Sequence, residues 1–327
     1  MSLHARLARL AASGKEAAPA PPEREALLDD LRARMRRVLE RTAVPRPPPV
    51  VTGEESDYRL PFFAEETPAG LLHRRFLRLS PAHRTGRAPA YAAKDVDRTL
   101  LSLLALDPSL ARVDFSRALY LDTETTGLSG GTGTVAFLVG LATFDESGMF
   151  VEQLLVRRLG EEAPMLAHVR ERIEAASSLV TFNGKAFDMP LLRTRFAMAR
   201  QPAPPDRPHL DLLHVARRVH GKGNRLTTLE DRVLGYVREG DVPSGEVSMR
   251  YLDFLRTGLE SLLLGVVEHN LQDVISMAAL VGLYGSDDPK ALAAGDLVGV
   301  ARTVKRAKAF DRAFDVATLA SDRGAGP

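Results

Sequence analysis

The 327-residue chain contains no cysteine. That excludes disulfides, zinc–thiolate centres and a cysteine nucleophile, and it fits a reducing compartment. The chain also lacks a dominant charge: 44 Lys and Arg oppose 42 Asp and Glu, a net charge of +2. Any contact with nucleic acid must therefore come from a local basic patch. Long apolar runs are missing too. The longest, "VAFLVGLATF", is about half of the roughly 20 residues that a bilayer-spanning helix needs. The N-terminus has no continuous apolar stretch of the kind a signal peptide requires. A cytoplasmic protein with no membrane partner is expected. Finally, "GGTG" at residues 130–133 lacks the lysine of a phosphate-binding loop, which argues against nucleoside triphosphate binding.

What is present divides the chain into four stretches. Residues 1–50 form a basic arm rich in Ala, Pro and Arg. Within it Leu27, Leu31, Met35 and Val38 recur at helical spacing, and "PRPPP" stops any helix. Residues 51–114 are an N-terminal extension of mixed pattern, with "DVDRTLLSLLAL" reading as a helix. Residues 115–285 carry the clearest periodicity. "RALYLDTE", "TVAFLVGLATF", "MFVEQLLVRRL" and "SLVTFNG" read as strands, and "PMLAHVRERIEAA" as a helix between the last two. Another helix begins near Asp188. "LDLLHVARRV", "TTLEDRVLG", "MRYLDFLRTG" and a long final segment read as further helices. Residues 286–327 look like a helical tail. Strands first and helices after describe an α/β fold: a central sheet flanked by helices, with helical extensions at both ends.

Three places carry chemistry. Asp122 and Glu124 stand two apart at the end of the first core strand, so they share a face there. Ligands of open α/β sheets bind outside such strand ends. Two like charges resist burial together, and with carboxylate donors the simplest neutralising partner is Mg²⁺ or Mn²⁺. In "VTFNGKAFDMPLL", Asp188 stands where a helix starts. It could equally be a plain N-cap. In "EHNLQDVISM", His269 and Asp273 are four apart on one helical face. Four carboxylates arriving from a strand end and two helices can hold two divalent ions for hydrolytic phosphoryl transfer. A neutral imidazole beside them can accept the proton of an attacking water.

At these residues the chain resembles the DEDD superfamily of 3′–5′ exonucleases on the ribonuclease-H-like fold, and within it the YprB-like group. "DTETTG" resembles the first motif, "FNGKAFDMPLL" the second and "HNLQDV" the third. "HLDLLHVARR", "LEDRVLG", "GDVP" and "FLRTG" follow in that group's order, over roughly residues 115–285. The resemblance implies a mixed sheet and a metal-dependent exonuclease. Asp122, Glu124, Asp188 and Asp273 would bind two Mg²⁺ or Mn²⁺ ions, and the substrate would be the 3′ end of single-stranded DNA or RNA. One departure stands out. The superfamily's histidine usually precedes the last Asp by five residues, which here is Glu268; His269 occupies the spacing of the tyrosine-type subfamily. His269 is read as the general base, with Glu268 as the competing assignment. The resemblance also places Thr125, Thr126 and Gly127 beside the terminal nucleotide. Asn183 reads as a donor to substrate and Phe187 as a stacking ring. Arg217, Arg218, Lys222 and Arg225 form a basic cluster suited to a phosphate backbone. His209, Asp211, His214 and His220 do not share a face and are not expected to form a second metal site. Tyr251 is expected to pack. A ribonuclease-H-type endonuclease and a catalytically silent nucleic-acid-binding module are the alternatives.

Overall fold

The computed structural model describes residues 58–127, 133–286 and 291–325. The expected helix around Leu27–Val38 and the glycines Gly130 and Gly131 lie outside these residues. Seven strands make one sheet. In chain order they are β1 (Phe63–Thr67), β2 (Gly70–Leu79), β3 (Ala118–Thr125), β4 (Ala136–Asp145), β5 (Gly148–Leu155), β6 (Ser178–Thr181) and β7 (His209–Asp211). In the sheet they run β1-β2-β5-β4-β3-β6-β7. The first five strands in this order pair antiparallel, and β6 and β7 continue parallel to β3. The helices used below are α1 (Arg98–Ala105), α2 (Ala163–Ala175), α3 (Asp188–Met198), α4 (Leu212–His220), α5 (Ser244–Thr257), α6 (Leu264–Tyr284), α7 (Ala294–Arg306) and α8 (Phe310–Asp322). Among the described residues no helix is long and apolar enough to cross a membrane.

Alternation along β3 splits the interior into two cores. Ala118 and Tyr120 enter the core built with α1, α4 and α6; Leu119 and Leu121 enter the one built with α2, α3 and α5. Strand β3 is thus apolar on both faces until its last residues, which is why the polar "DTET" stands out. The long helix α6 lies across the first face, burying Val274, Ile275 and Met277. Tyr251 packs as expected. It is fully buried and stacked on Phe137, with ring centroids 3.9 Å apart, and its hydroxyl donates to the Val156 carbonyl.

The structure adds three features to the sequence pattern. The extension before the core is not helical throughout, because β1 and β2 extend the sheet past β5. "HLDLLHVARRV" begins as a strand: His209–Asp211 pairs with β6, and Asp211 then caps α4 by accepting from the Leu213 N–H. The tail joins the main core. Leu297, Val300 and Val304 of α7 are buried in it, and Gly299 lies where any Cβ would meet the Val219 carbonyl.

Candidate active site

Asp122 and Glu124 continue the face of Tyr120, so they emerge beneath α6. Asp122 lies opposite Gly140 of β4, and Gly140 opposite Gln153 of β5. Asn270 of α6 spans this row. Its Nδ2 donates to Asp122 Oδ2 at 2.8 Å, and its Oδ1 accepts from Gln153 Nε2 at 3.0 Å. Gly140 makes room for it: a Cβ there would stand 2.5 Å from Asn270 Oδ1. Asp122 is therefore fixed by a fully buried amide relay. A register shift between Glu124 and Thr125 interrupts the pairing with β4 just before its last pair, Thr125 with Ala136, as bulges at sheet margins do.

Asp188 reaches the strand end from the other core. It is the first residue of α3 and not its cap; Phe187 precedes it and makes no side-chain cap bond. The Thr123 hydroxyl donates to Asp188 Oδ1 at 2.6 Å. The turn before it is held by Asp211, whose carboxylate accepts the N–H groups of Asn183 and Lys185 as well as that of Leu213. Asp273 and His269 complete the group from α6. Glu124, His269 and Asp273 each offer a donor atom within 4.8 Å of the others.

The electrostatics set these acids apart. Loss of hydration on burial, then repulsion from Asp273 and Asp188, raises the Asp122 carboxyl well above its usual range. The same causes raise Glu124. Asp188, raised chiefly by burial against the bond from Thr123, reaches about 6. No cation is paired with Asp122 or Asp188 among the described residues. Arg238 does pair with Asp273, and it also binds Glu230 through Nε at 2.7 Å. Buried oxygen donors that repel one another, without enough cations nearby, suit a divalent metal ion.

Four residues that the sequence reading did not assign shape the site: Asn270, Arg238, Glu230 and Asp241. Asp241 Oδ1 lies 2.6 Å from His269 Nδ1. It falls in "GDVP", a stretch noted only for its resemblance. Arg238 stands three residues before it, in the same loop. Glu268 points away from this group. Its side chain is half exposed and bonded to Arg75 at 2.8 Å, because one step along a helix rotates it about 100° away from His269. Against the other acids of the fold, His209 bonds Thr181, and His220 joins Asp296 and Tyr284. Asp211 accepts backbone N–H groups.

The expected substrate contacts fall into two kinds. The Thr125 hydroxyl donates to the Gly127 carbonyl, and the Thr126 hydroxyl accepts from the Val135 N–H, so both serve the turn. Asn183 adopts a left-handed backbone, φ +70°, and lines an open groove of about 730 Å³. Phe182, Arg217, Arg225, His269 and Asp273 line the same groove. Phe187 is half-buried at the start of α3. Of the remaining basic cluster, Arg218 donates to the Leu104 carbonyl.

A mixed sheet flanked by helices, with its acids at the end of the central strand, defines a ribonuclease H-like α/β protein. The sequence agrees: residues 119–284, just over half of the chain, match a family model described as RNase_H superfamily, and the chain belongs to that superfamily. It is 40% identical over 166 residues to the uncharacterized protein YprB of Bacillus subtilis (strain 168), a match that covers 49% of this chain and 40% of YprB. The match thus spans less than half of that relative's length. Among solved structures, the family B DNA polymerase from the hyperthermophilic archaeon Pyrobaculum calidifontis overlays with a TM-score of 0.43 and 13% identity. That match covers 59% of this chain and 29% of the polymerase chain, a likeness too slight to carry an argument.

Proposed function

We propose that the chain is a divalent-cation-dependent nuclease that shortens single-stranded DNA or RNA from its 3′ end. The observation that carries this reading is the set of buried, mutually repelling carboxylates at the strand end, with Asp273 among them also lining a groove that has Arg217 and Arg225 in its wall. Bound divalent ions would polarise the scissile phosphate and make an attacking water more acidic. The chain's own residues hold and aim the acids. Asn270 fixes one oxygen of Asp122, Thr123 orients Asp188, and Arg238 anchors Asp273. Arg217 and Arg225 would follow the phosphates by charge. Asn183 and Phe187 would meet the terminal nucleotide, and Gly127 would let backbone approach it. The 3′–5′ direction, and preference for an end over an internal bond, rest on the three motifs and their resemblance.

The test is digestion of 3′-labelled single-stranded DNA and RNA with Mg²⁺ or Mn²⁺. Labelled mononucleotide should appear first, and a blocked 3′ end should protect the strand. Internal cutting of the blocked strand would replace this reading with the endonuclease. Absence of cleavage under every ion, with binding retained, would leave a silent binding module.

A further inference from the structure

The two nitrogens of His269 face different partners. The side chain is nine-tenths buried, with 10% of its surface exposed. Nδ1 lies 2.6 Å from Asp241 Oδ1. An ionised carboxylate only accepts hydrogen bonds, so the ring proton must sit on Nδ1 and point at Asp241. Arg238 Nη1 also lies near Nδ1, at 3.2 Å, but a guanidinium only donates, and the His269 carbonyl at 3.4 Å offers it an acceptor. In the neutral ring with its proton on Nδ1, Nε2 presents a lone pair. That lone pair faces Glu124 Oε1 at 3.8 Å and Asp273 Oδ2 at 3.7 Å, and no described residue hydrogen-bonds it.

Three possible ligand atoms, one each from Glu124, His269 and Asp273, thus converge within 4.8 Å of one another. The two separations from His269 Nε2, 3.7 and 3.8 Å, exceed the roughly 2.7–3.2 Å of a hydrogen bond. They are shorter than about 4.2 Å, twice a metal–ligand distance of about 2.1 Å. One ion can bridge them. We infer that Glu124, His269 and Asp273 form a mixed nitrogen–oxygen site for a first-row divalent transition ion, with His269 Nε2 as ligand and Asp241 as the positioning residue that sets its tautomer. The carboxylate–histidine–metal relay is a general device for orienting a ligand imidazole. A nitrogen committed to an ion cannot take a proton from water, so this assignment replaces the general-base role expected of His269. It follows that the site favours Mn²⁺ over Mg²⁺, because Mg²⁺ keeps to oxygen ligands whereas imidazole suits first-row transition ions. The inference rests on reading these acids as the metal ligands of the proposed nuclease.

The experiment uses the full chain, stripped of metal, with Mn²⁺ as the probe. Pulsed electron paramagnetic resonance should show coupling of bound Mn²⁺ to one ¹⁴N nucleus. His269→Ala should abolish that coupling and weaken Mn²⁺ binding by about tenfold or more, while Mg²⁺ binding changes by less than about twofold. Asp241→Asn is the sharper variant. Its neutral amide oxygen can still accept from Nδ1–H but no longer raises the basicity of Nε2, so the ¹⁴N coupling should persist while Mn²⁺ affinity falls by about 10–100-fold. Mn²⁺ bound without ¹⁴N coupling, coupling that survives His269→Ala, or no Mn²⁺ binding at all would overturn the site. Digestion assays on the same wild-type preparation separate this from the function. Cleavage without nitrogen coupling sinks the ligand assignment alone. Coupling without cleavage of any nucleic acid keeps the site and sinks the nuclease reading.

Discussion

Glu152 and the Asp122–Glu124 pair are strand acids of one sheet, on opposite faces, and they are treated in opposite ways. Glu152 of β5 is 3% exposed. Burial opposes its charge, but bonds from His168 and Arg172 outweigh that and hold its carboxyl below the usual range. Arg172 sits 2.6 Å from one oxygen and Arg74 3.5 Å from the other. Asp122 receives only a neutral amide from Asn270, and its carboxyl is raised. A buried acid that the chain neutralises itself is structural. One left for something else to neutralise points to a ligand. The sheet offers both, so burial of an acid alone does not distinguish them; the missing cation does.

The largest expected contrast is in activity. Asp122→Asn or Asp273→Asn should lower cleavage by about 10³-fold or more, since an ion supplies several kcal/mol of transition-state stabilisation. Glu152→Gln should leave the rate per folded molecule unchanged. Rate measurements with matched circular dichroism spectra check this, and equal losses in both variants would erase the distinction. Stability should show the reverse. Glu152→Gln loses charge-assisted bonds and should cost about 1.5–3 kcal/mol in urea unfolding, whereas the Asp122 variant should cost little.

A smaller effect concerns pH. In the folded chain Asp188 titrates near 6, against an ordinary 3.8. The folded state therefore holds that proton more tightly than the unfolded state. The stability this contributes is complete below pH 3.8 and is lost as pH rises through about 6. Without divalent ions, lowering the pH from 7 to 5 should stabilise the protein, and Asp188→Asn should shrink that gain, leaving the part owed to the raised Asp122 and Glu124, while stabilising the protein at pH 7 by on the order of 1–2 kcal/mol. Melting curves across this range decide it; a steeper rise in the variant contradicts the assignment. The smallest effect belongs to Glu268→Ala. Its exposed pair with Arg75 should be worth less than about 1 kcal/mol, and cleavage should stay near wild type.

Much of the site was legible because its acids interrupt a pattern. A strand apolar on both faces announces "DTE" by contrast, and the four-residue spacing of His269 and Asp273 places both on one side of α6. The strands of the core were legible for the same reason. Strands β1 and β2 were not, since their exposed outer positions blur the alternation; Phe63, Leu71 and Phe76 are all exposed. Nor were Arg238 and Asp241. They lie in a loop with no periodicity, and their partners on α6 are 28–35 residues away, so only the folded chain brings them together. Asn270 sat beside His269 in plain view, but its role depends on Gly140 and Gln153, two strands across the sheet.

In the proposed nuclease the unneutralised acids hold a divalent cation. Thermal unfolding of the metal-free protein, with and without saturating Mn²⁺, tests it most directly, because an ion that binds only the folded state must raise the melting temperature. The wild type should shift upward by several degrees, and Glu124→Gln should shift far less, with Glu152→Gln shifting like the wild type from its lower starting point. No shift in the wild type, or an equal shift in Glu124→Gln, would contradict the account.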